Sequence, residues 1–590
     1  MIPVPQTAEV RLEGIGVSPG IAFGVAERVG RSLEEPEHLL VEKREVEGER
    51  DRLTDAVLRT REQILALQQA ISESDGESHA GVFDAHLLIL EDTSILNEVT
   101  RIVETERKSV DWAFYSVAKR YIDSLRKISD PYLRERAVDI EDVAKRLLRN
   151  LRGDGDDDGM RPLHHGTKIL LARDLTPSDT VGLDRTRIRG FATELGSPTS
   201  HTAIMARSLN IPAVVALHSL PEDFSAGGIA LIDGYHGLVI LHPSSETLAE
   251  YETLLEREHT VLTDLEPLRD AETKTADGRR IVLSANIEFM EELEGILESG
   301  AEGVGLYRTE YFYLSRRELR DEDHQYETYR AVVEATQPHG VIVRTLDIGG
   351  DKLCPELVDA PEPNPFLGWR GIRLSLDRPE EFRVQLRAAL RASAHGKTRI
   401  MFPFLSALEE LREARRQLEI AKDELRSRGV AFDESIEVGA MIEIPSAVCI
   451  ADHLAKEVDF FSIGSNDLIQ YTTAVDRVND RVAHLYQPAH PAVLRLIRAT
   501  IEAAHRNGIW CGICGEVASD LVLAPAWIGL GIDELSVGAA QILRMRHAIS
   551  KLDSAACADL VERLSTCPTS ADLHAECLAM AEAAYPELIL

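Results

Sequence analysis

The feature that most constrains the fold is a repeat in the second half of the chain, where short apolar runs alternate with helix-length amphipathic segments. Eight such runs follow Arg280, and they are Ile281–Ile287, Gly303–Tyr307, Val341–Leu346, Arg399–Phe402, Glu437–Ile442, Phe460–Ile463, Ile509–Ile513 and Glu534–Val537. Eight strand-then-helix units over roughly 300 residues predict a (β/α)8 barrel, with a repeated α/β sandwich as the alternative. We place this barrel at residues 273–590.

The first half of the chain contains two kinds of predicted structure, strands alternating with helices and a purely helical segment. Residues 8–28 predict two short strands around a glycine-rich turn. The stretch 34–152 then has few glycines and many charges, and its apolar residues recur at helical spacing, which predicts a helical bundle. Strands alternating with helices resume after the Asp/Gly-rich segment 153–159. We therefore expect one α/β domain made of residues 1–33 and 153–244. The bundle, residues 34–152, is inserted into it, and a long charged helix follows at residues 245–272.

Composition excludes several classes of partner and location. The formal net charge of −34, with no basic stripe to offset it, argues against nucleic acid. No apolar run approaches the ~20 residues of a membrane span. Seven scattered cysteines argue for a reducing cytoplasm, and the pair Cys511 and Cys514 lacks the second C-x-x-C that a zinc site needs.

A candidate nucleophile lies in the segment Gly196–Arg207. This segment opens with glycine and proline, passes two hydroxyl residues suited to cap a helix, and continues with helical apolar spacing. His201 therefore falls in a first helical turn, where free N–H groups and the helix dipole favour an added phosphoryl group. A neutral imidazole is nucleophilic at pH 7. The alternative is a capping segment whose histidine is an ordinary surface residue.

A second set of candidates follows the predicted barrel strands, whose C-terminal ends carry the chemistry in such barrels. Arginines suit phosphate and carboxylate, two carboxylates with an amide suit Mg²⁺, and Cys514 falls in a turn where we expect an accessible thiol. Together they fit an anionic phosphorylated acid with Mg²⁺, although any one of them alone fits a surface ion pair equally well. The set is Arg308, Arg344, Arg370, Arg373, Glu443, Asn466, Asp467, Arg477, Cys514 and Glu516.

With both halves read, the chain resembles the phosphoenolpyruvate-protein phosphotransferase family, enzyme I of the bacterial sugar phosphotransferase system. The likeness covers nearly the whole chain and includes the domain order. The motifs that carry it are Thr199–His201 with Ala203–Arg207, Gly305–Glu310, Asp347–Lys352, Gly464–Tyr471 and Cys514–Glu516. One departure is Gly196-Ser197-Pro198, where the family usually has Gly-Gly-Arg, so a positive charge beside the histidine is missing.

The resemblance implies a role for each candidate residue. It implies that His201 carries the phosphoryl group and that Thr176 orients its imidazole. It further implies that Arg308, Arg344 and Arg477 hold phosphoenolpyruvate, with Arg370 and Arg373 in support. Glu443 and Asp467 would ligate Mg²⁺, Asn466 would contact the phosphate, and Cys514 would protonate the enolate of pyruvate.

The resemblance also implies partners and a cytoplasmic location. The inserted bundle would dock the phosphocarrier protein HPr, the barrel would form a homodimer, and a swivel would carry His201 between barrel and carrier. The chain has no nucleotide-binding domain of the kind that pyruvate phosphate dikinase needs. The alternatives are a phosphoenolpyruvate-responsive scaffold without turnover and a barrel lyase for which His201 is dispensable.

Overall fold

The structure is a computed structural model, and it divides the chain into two compact units, Met1–Glu256 and Arg257–Leu590. The residues it describes are 9–18, 20–29, 35–74, 83, 86–126, 131–153, 167–173, 175, 187–196, 206, 211–217, 219–221, 228–288, 290–310, 321–349, 364–477 and 481–589. His201 and Thr176 lie outside the described residues, and so does most of the Asp/Gly-rich segment 153–159.

The first unit contains an eight-stranded sheet in the order β1-β8-β7-β3-β4-β5-β6-β2. Its strands, numbered along the chain, are β1 Val10–Glu13, β2 Ile15–Ser18, β3 Ile21–Val29, β4 Lys168–Ala172, β5 Ile188–Thr193, β6 Ala213–Val215, β7 Ile229–Asp233 and β8 Leu238–Leu241. The strands β3 to β6 run parallel to one another, and the other pairs are antiparallel.

The prediction of two strands over residues 8–28 was wrong, because this stretch forms three. Gly14 separates β1 from β2, and its N–H donates to the carbonyl of Gly237. Gly20 separates β2 from β3 with a φ of +121°, a conformation open to glycine and strained for other residues. Two glycine breaks in seven residues therefore let β1 and β2 pair at opposite ends of the strand order.

The helices of the first unit pack around an apolar core of their own, which contains Ile64, Val99, Phe114 and Leu147. Their bounds are Val46–Ser74, Thr93–Glu106, Val110–Arg126 and Pro131–Arg152. The long charged helix after the sheet runs over Ser245–Leu265 and ends in a single 3-10 turn, Glu266–Leu268. Within the described residues, no helix is both long enough and apolar enough to cross a membrane.

The second unit contains a closed barrel of eight parallel strands, which confirms the predicted barrel over the sandwich. Strand β16 pairs with β9 and so closes the ring. The strands are β9 Val282–Ile287, β10 Val304–Tyr307, β11 Val341–Arg344, β12 Thr398–Phe402, β13 Glu437–Ile442, β14 Phe460–Gly464, β15 Trp510–Cys514 and β16 Glu534–Val537.

Helices cover the outside of the barrel and bury the outward side chains of its strands. Ile400 and Phe461 from the strands share one core with Leu386 and Trp527 from the helices. The helices are Leu293–Ser299, Glu322–Ala335, Ile372–Asp377, Pro379–Ser393, Leu408–Arg428, Pro445–Cys449, Ala451–Leu454, Ser465–Thr473, Pro491–Arg506, Ala524–Leu530, Ile542–Lys551, Ser554–Leu564 and Ser570–Ala584.

The inward side chains of the strands form a separate core that fills the barrel. This core contains Leu306, Ile342, Met401, Met441, Phe460 and Cys514. The ring of Phe460 stacks on Trp510, with ring centroids 4.5 Å apart. The same ring occupies the space beside Gly439, where a Cβ would lie 2.2 Å from it. The interior is therefore a packed core, and a larger residue at Gly439 has no room.

We predict that Gly439→Ala destabilises the barrel by about 1–3 kcal/mol, because the added methyl forces the Phe460 ring off its stacked position. Denaturant unfolding followed by tryptophan fluorescence measures this, since Trp510 stacks on the displaced ring. The matched control is Gly295→Ala in the helix Leu293–Ser299, where a Cβ meets nothing within 4 Å. The control should be neutral or slightly stabilising, and equal stability of both variants would contradict the account.

Candidate active site

The alternation of side chains along the barrel strands sets the positions of the candidate residues. Successive residues of a strand point to opposite faces, so every second residue faces the interior. Leu306, Ile342 and Met441 face the interior. Arg308, Arg344 and Glu443, two residues further along β10, β11 and β13, therefore point into the opening at the C-terminal ends of the strands.

Two arginines at this opening, the buried Arg344 and the half-buried Arg308, are held by carboxylates. Arg344 is 6% exposed; its guanidinium bonds Glu310 and lies 3.2 Å from a carboxylate oxygen of Asp347. Arg308 pairs in the same way with Glu288. Burial alone would lower the pKa of both arginines, but the neighbouring carboxylates more than offset it and leave both raised. Both side chains therefore stay cationic and keep a fixed direction.

Asp347, Glu443 and Asp467 form an acidic triad whose oxygens lie within 4.8 Å of one another. All three side chains are buried. Burial, followed by the negative charges of Asp347 and Asp467, raises the pKa of Glu443 to about 8. Glu443 also accepts a 2.6 Å hydrogen bond from the backbone N–H of Phe404, a residue with a φ of +57°. Three ionised carboxylates this close repel one another, and either a proton on Glu443 or a positive group shared among them relieves the repulsion.

Arg370 and Arg373 lie beside the triad on two faces of different character. Arg370 is buried, and its Nη2 donates to Asp467 at 2.9 Å and to Asp347 at 3.2 Å. Arg373 is half-buried and its contacts lead away from the triad, to Glu410, Ser406 and the carbonyl of Gly368. The structure therefore brings Arg370 into the charged cluster and places Arg373 at its edge.

Asn466 begins a second wall of the opening, at the start of the helix Ser465–Thr473. Its amide pairs with Glu516, donating from Nδ2 at 3.2 Å and accepting from the Glu516 N–H at 3.0 Å. Arg477 is half-buried, and its backbone N–H donates to Gln470 on the same helix at 3.4 Å. Burial and the carboxylates of Glu516 and Asp467 raise the pKa of the Tyr486 hydroxyl, and the Arg477 guanidinium opposes them, so Arg477 lies on the same wall.

The expectation of an accessible thiol at Cys514 was wrong. Cys514 is the last residue of β15 instead of a turn residue, and its side chain is 1% exposed. The sulfur lies 3.1 Å from the hydroxyl of Ser462 and 3.6 Å from the carbonyl of Ile463. Burial raises the pKa of the thiol to about 11, against the lowering effect of Ser462 and Arg344. The thiol is therefore a protonated group inside the barrel, beneath the charged opening.

Sequence reasoning missed three acidic members of the site, which are Glu288 directly after β9, Glu310 and Asp347. Asp347 belongs to the quoted motif Asp347–Lys352 but was not recognised as a ligand, because it lies three residues beyond the end of β11. Glu310 belongs to the motif Gly305–Glu310, and its carboxylate holds Arg344. The available signal for all three was an acidic residue directly after a barrel strand.

The donor set of the triad fits Mg²⁺. This ion prefers carboxylate oxygens, usually takes one or two of them, and fills its remaining positions with water or substrate oxygens. The close spacing of the triad oxygens and the raised pKa of Glu443 both indicate negative charge that a cation would relieve. Mn²⁺ suits the same carboxylate oxygens.

Comparison with known proteins gives matches along the whole chain. Three family models match. The model described as "PEP-utilising enzyme, N-terminal" matches residues 13–136, and "PEP-utilising enzyme, mobile domain" matches residues 165–237. The model described as "PEP-utilising enzyme, PEP-binding domain" matches residues 263–554. The phosphoenolpyruvate-protein phosphotransferase of Geobacillus stearothermophilus is 45% identical over 568 residues, which cover 96% of this chain and 97% of that protein. The protein of the same name from Bacillus subtilis (strain 168) is 43% identical over 567 residues, 96% of this chain and 98% of its own. The chain therefore belongs to the phosphoenolpyruvate-protein phosphotransferase family of PEP-utilising enzymes.

Proposed function

We propose that this protein transfers the phosphoryl group of phosphoenolpyruvate to its own His201 and then to a histidine of the phosphocarrier protein HPr, releasing pyruvate. The observation that carries the proposal is the composition of the barrel opening. Cationic arginines, a buried acidic triad and a protonated thiol converge there. Membership of the family supports the same reaction.

The charge balance of the opening supports a substrate that arrives with a divalent cation. Five carboxyl groups face three guanidinium groups, and these are Glu288, Glu310, Asp347, Glu443 and Asp467 against Arg308, Arg344 and Arg370. A trianionic substrate adds to this negative charge. Asp347, Glu443 and Asp467 would hold Mg²⁺, which when bound neutralises the phosphate and the developing enolate oxygen.

The arginines bind and orient the substrate. Arg308 and Arg344 are each held by an ion pair with a carboxylate, and guanidinium groups bind carboxylate and phosphate oxygens through paired N–H groups. Arg477 and Asn466 reach the phosphate from the opposite wall, and Arg373 supports the loop at the edge. Phosphoryl transfer needs this positioning and neutralisation more than it needs covalent help from the protein.

The histidine accepts the phosphoryl group, and the thiol supplies a proton to the product. The Nε2 lone pair of His201 forms a bond to phosphorus while the bond to the enol oxygen breaks, which leaves the enolate of pyruvate. Thr176 orients the imidazole. The S–H of Cys514 gives its proton to the methylene carbon of the enolate, and Arg344 steadies the thiolate until solvent returns a proton. The product leaves as the keto form of pyruvate.

The remaining parts of the chain serve the second transfer. In this proposal the bundle at 34–152 docks HPr, the α/β domain at 1–33 with 153–244 carries His201, and the helix at 245–272 links it to the barrel at 273–590. The barrel also forms the homodimer. The protein works in the cytoplasm, where phosphoenolpyruvate is made.

We predict that incubation with Mg²⁺ and phosphoenolpyruvate labelled at phosphorus gives an acid-labile, base-stable label on the wild-type protein. His201→Ala should remove the label, because only an imidazole at that position can accept the phosphoryl group. Peptide mapping of the labelled chain locates the site, and added HPr should discharge it.

The control for this experiment is His236→Ala, a change at an exposed histidine that pairs with Asp233 in the same domain. This variant should keep the full label. Retention of the label in His201→Ala would refute the assignment of the nucleophile. Label that never passes to HPr would instead favour the scaffold.

We predict that Cys514→Ser slows pyruvate release by about 10²-fold or more, the usual contribution of a positioned general acid. Phosphoenolpyruvate should still bind, because the arginines and the triad are unchanged. Pyruvate formation by rapid quench and substrate binding by calorimetry separate the two effects.

The matched control is Cys511→Ser on the same strand. Cys511 belongs to the core outside the barrel, whereas Cys514 belongs to the core inside it. Normal turnover is expected for the Cys511 variant. Normal turnover in Cys514→Ser would remove the assigned role of that thiol.

A further inference from the structure

Arg370 bridges two of the three members of the acidic triad, Asp347 and Asp467. Its side chain is 5% exposed, and one nitrogen, Nη2, donates to three oxygens. These are Oδ2 of Asp467 at 2.9 Å and both carboxylate oxygens of Asp347 at 3.2 Å. Two hydrogens on Nη2 cannot satisfy three acceptors fully, so the contact is mainly one of charge.

The oxygens that hold Arg370 are also the oxygens proposed to hold the cation. Asp347 and Asp467 are two of the three members of the triad, and Glu443 is within electrostatic reach of the same guanidinium. A hydrogen-bonding nitrogen stands about 3 Å from such oxygens, whereas Mg²⁺ binds them at about 2.1 Å. The two positive groups repel each other at this range. A cation bound to these oxygens of Asp347 and Asp467 would therefore displace the guanidinium from them.

Apart from the two carboxylates, the guanidinium of Arg370 has only a few contacts within the described residues. Nη1 donates to the Tyr471 hydroxyl at 3.1 Å, and the guanidinium lies 4.5 Å from the centre of the Phe404 ring. Its Nε is buried and makes no hydrogen bond to any group in the described part of the chain. A hydrogen bond and an aromatic face therefore remain available to it after the carboxylates are given up.

We infer that Arg370 is a built-in competitor of the divalent cation, holding Asp347 and Asp467 together in the cation-free protein and withdrawing from them when the ion binds. This inference rests on the proposed role of the triad as the cation site. As a consequence, the triad binds the cation more weakly than it would if Arg370 were absent. The opening stays folded without the ion, and the ion can exchange.

The test is binding of Mn²⁺ alone, measured from the free-ion signal in electron paramagnetic resonance with the full chain. Arg370→Met removes the charge and keeps much of the packing on Phe404. We expect it to bind Mn²⁺ at least about tenfold more tightly, since the competing charge is gone. Arg370→Gln carries the same expectation and serves if the methionine variant does not fold. The thermal unfolding of each variant, with and without Mn²⁺, checks that it is folded.

Arg373→Met is the matched control. Arg373 lies 5.0 Å from the centre of the same Phe404 ring, but its ion pair is with Glu410 and not with the triad. Its Mn²⁺ affinity should stay within about threefold of wild type, because its guanidinium bonds Glu410 and Ser406 and none of the three carboxylates of the triad.

Two kinds of failure are distinguishable in this assay. Unchanged or weaker Mn²⁺ binding in both Arg370 variants would overturn the inference, because a residue that merely orients the ligands weakens binding when it is lost. A wild-type protein that binds no Mn²⁺ at the triad would instead refute the proposed cation site.

Discussion

The mutual repulsion of three buried carboxyl groups is the constraint on which the rest of the site depends. Asp347, Glu443 and Asp467 share one small volume, and water is excluded from much of it. Such a cluster is stable when one member keeps its proton, as the raised pKa of Glu443 indicates, or when a positive group is shared among its members. In the structure that group is Arg370, flanked by Arg344. The same requirement underlies the proposal that the cluster binds a cation and, through the cation, an anionic substrate.

The barrel supplies the geometry that this charge cluster needs. Eight parallel strands direct their C-terminal ends to one opening, and the two-residue alternation aims Arg308, Arg344 and Glu443 into it. Beneath them the apolar interior keeps Cys514 buried and protonated. Charged groups that bind an anion therefore lie directly above a thiol that can deliver a proton. Neither layer would function alone, because binding without the thiol leaves an enolate and the thiol without the arginines has no substrate.

The sequence allowed much of this barrel to be predicted, because buried parallel strands read as short apolar runs. The strands β13 and β16 have the predicted bounds. The strand β15 begins and ends one residue later than predicted, and this single step moves Cys514 from a turn to the barrel interior. Asp347 was missed because it lies beyond its strand, where alternation no longer fixes direction. Its orientation comes from contacts with Arg344, three residues earlier, and with Arg370, and the second contact forms only when the chain folds. The roles of His201 and Thr176 remain predictions from resemblance.

The central claim is that one cation site, built from Asp347, Glu443 and Asp467, organises the opening of the barrel. Anomalous X-ray scattering from a crystal of the protein grown with Mn²⁺ tests it most directly, because the signal locates the ion independently of any assay of activity. The account predicts a single strong peak within about 2.2 Å of oxygens from at least two of these carboxylates, with Arg370 no longer between them. A peak elsewhere on the barrel, or none at the triad while Arg370 still bridges Asp347 and Asp467, would contradict it.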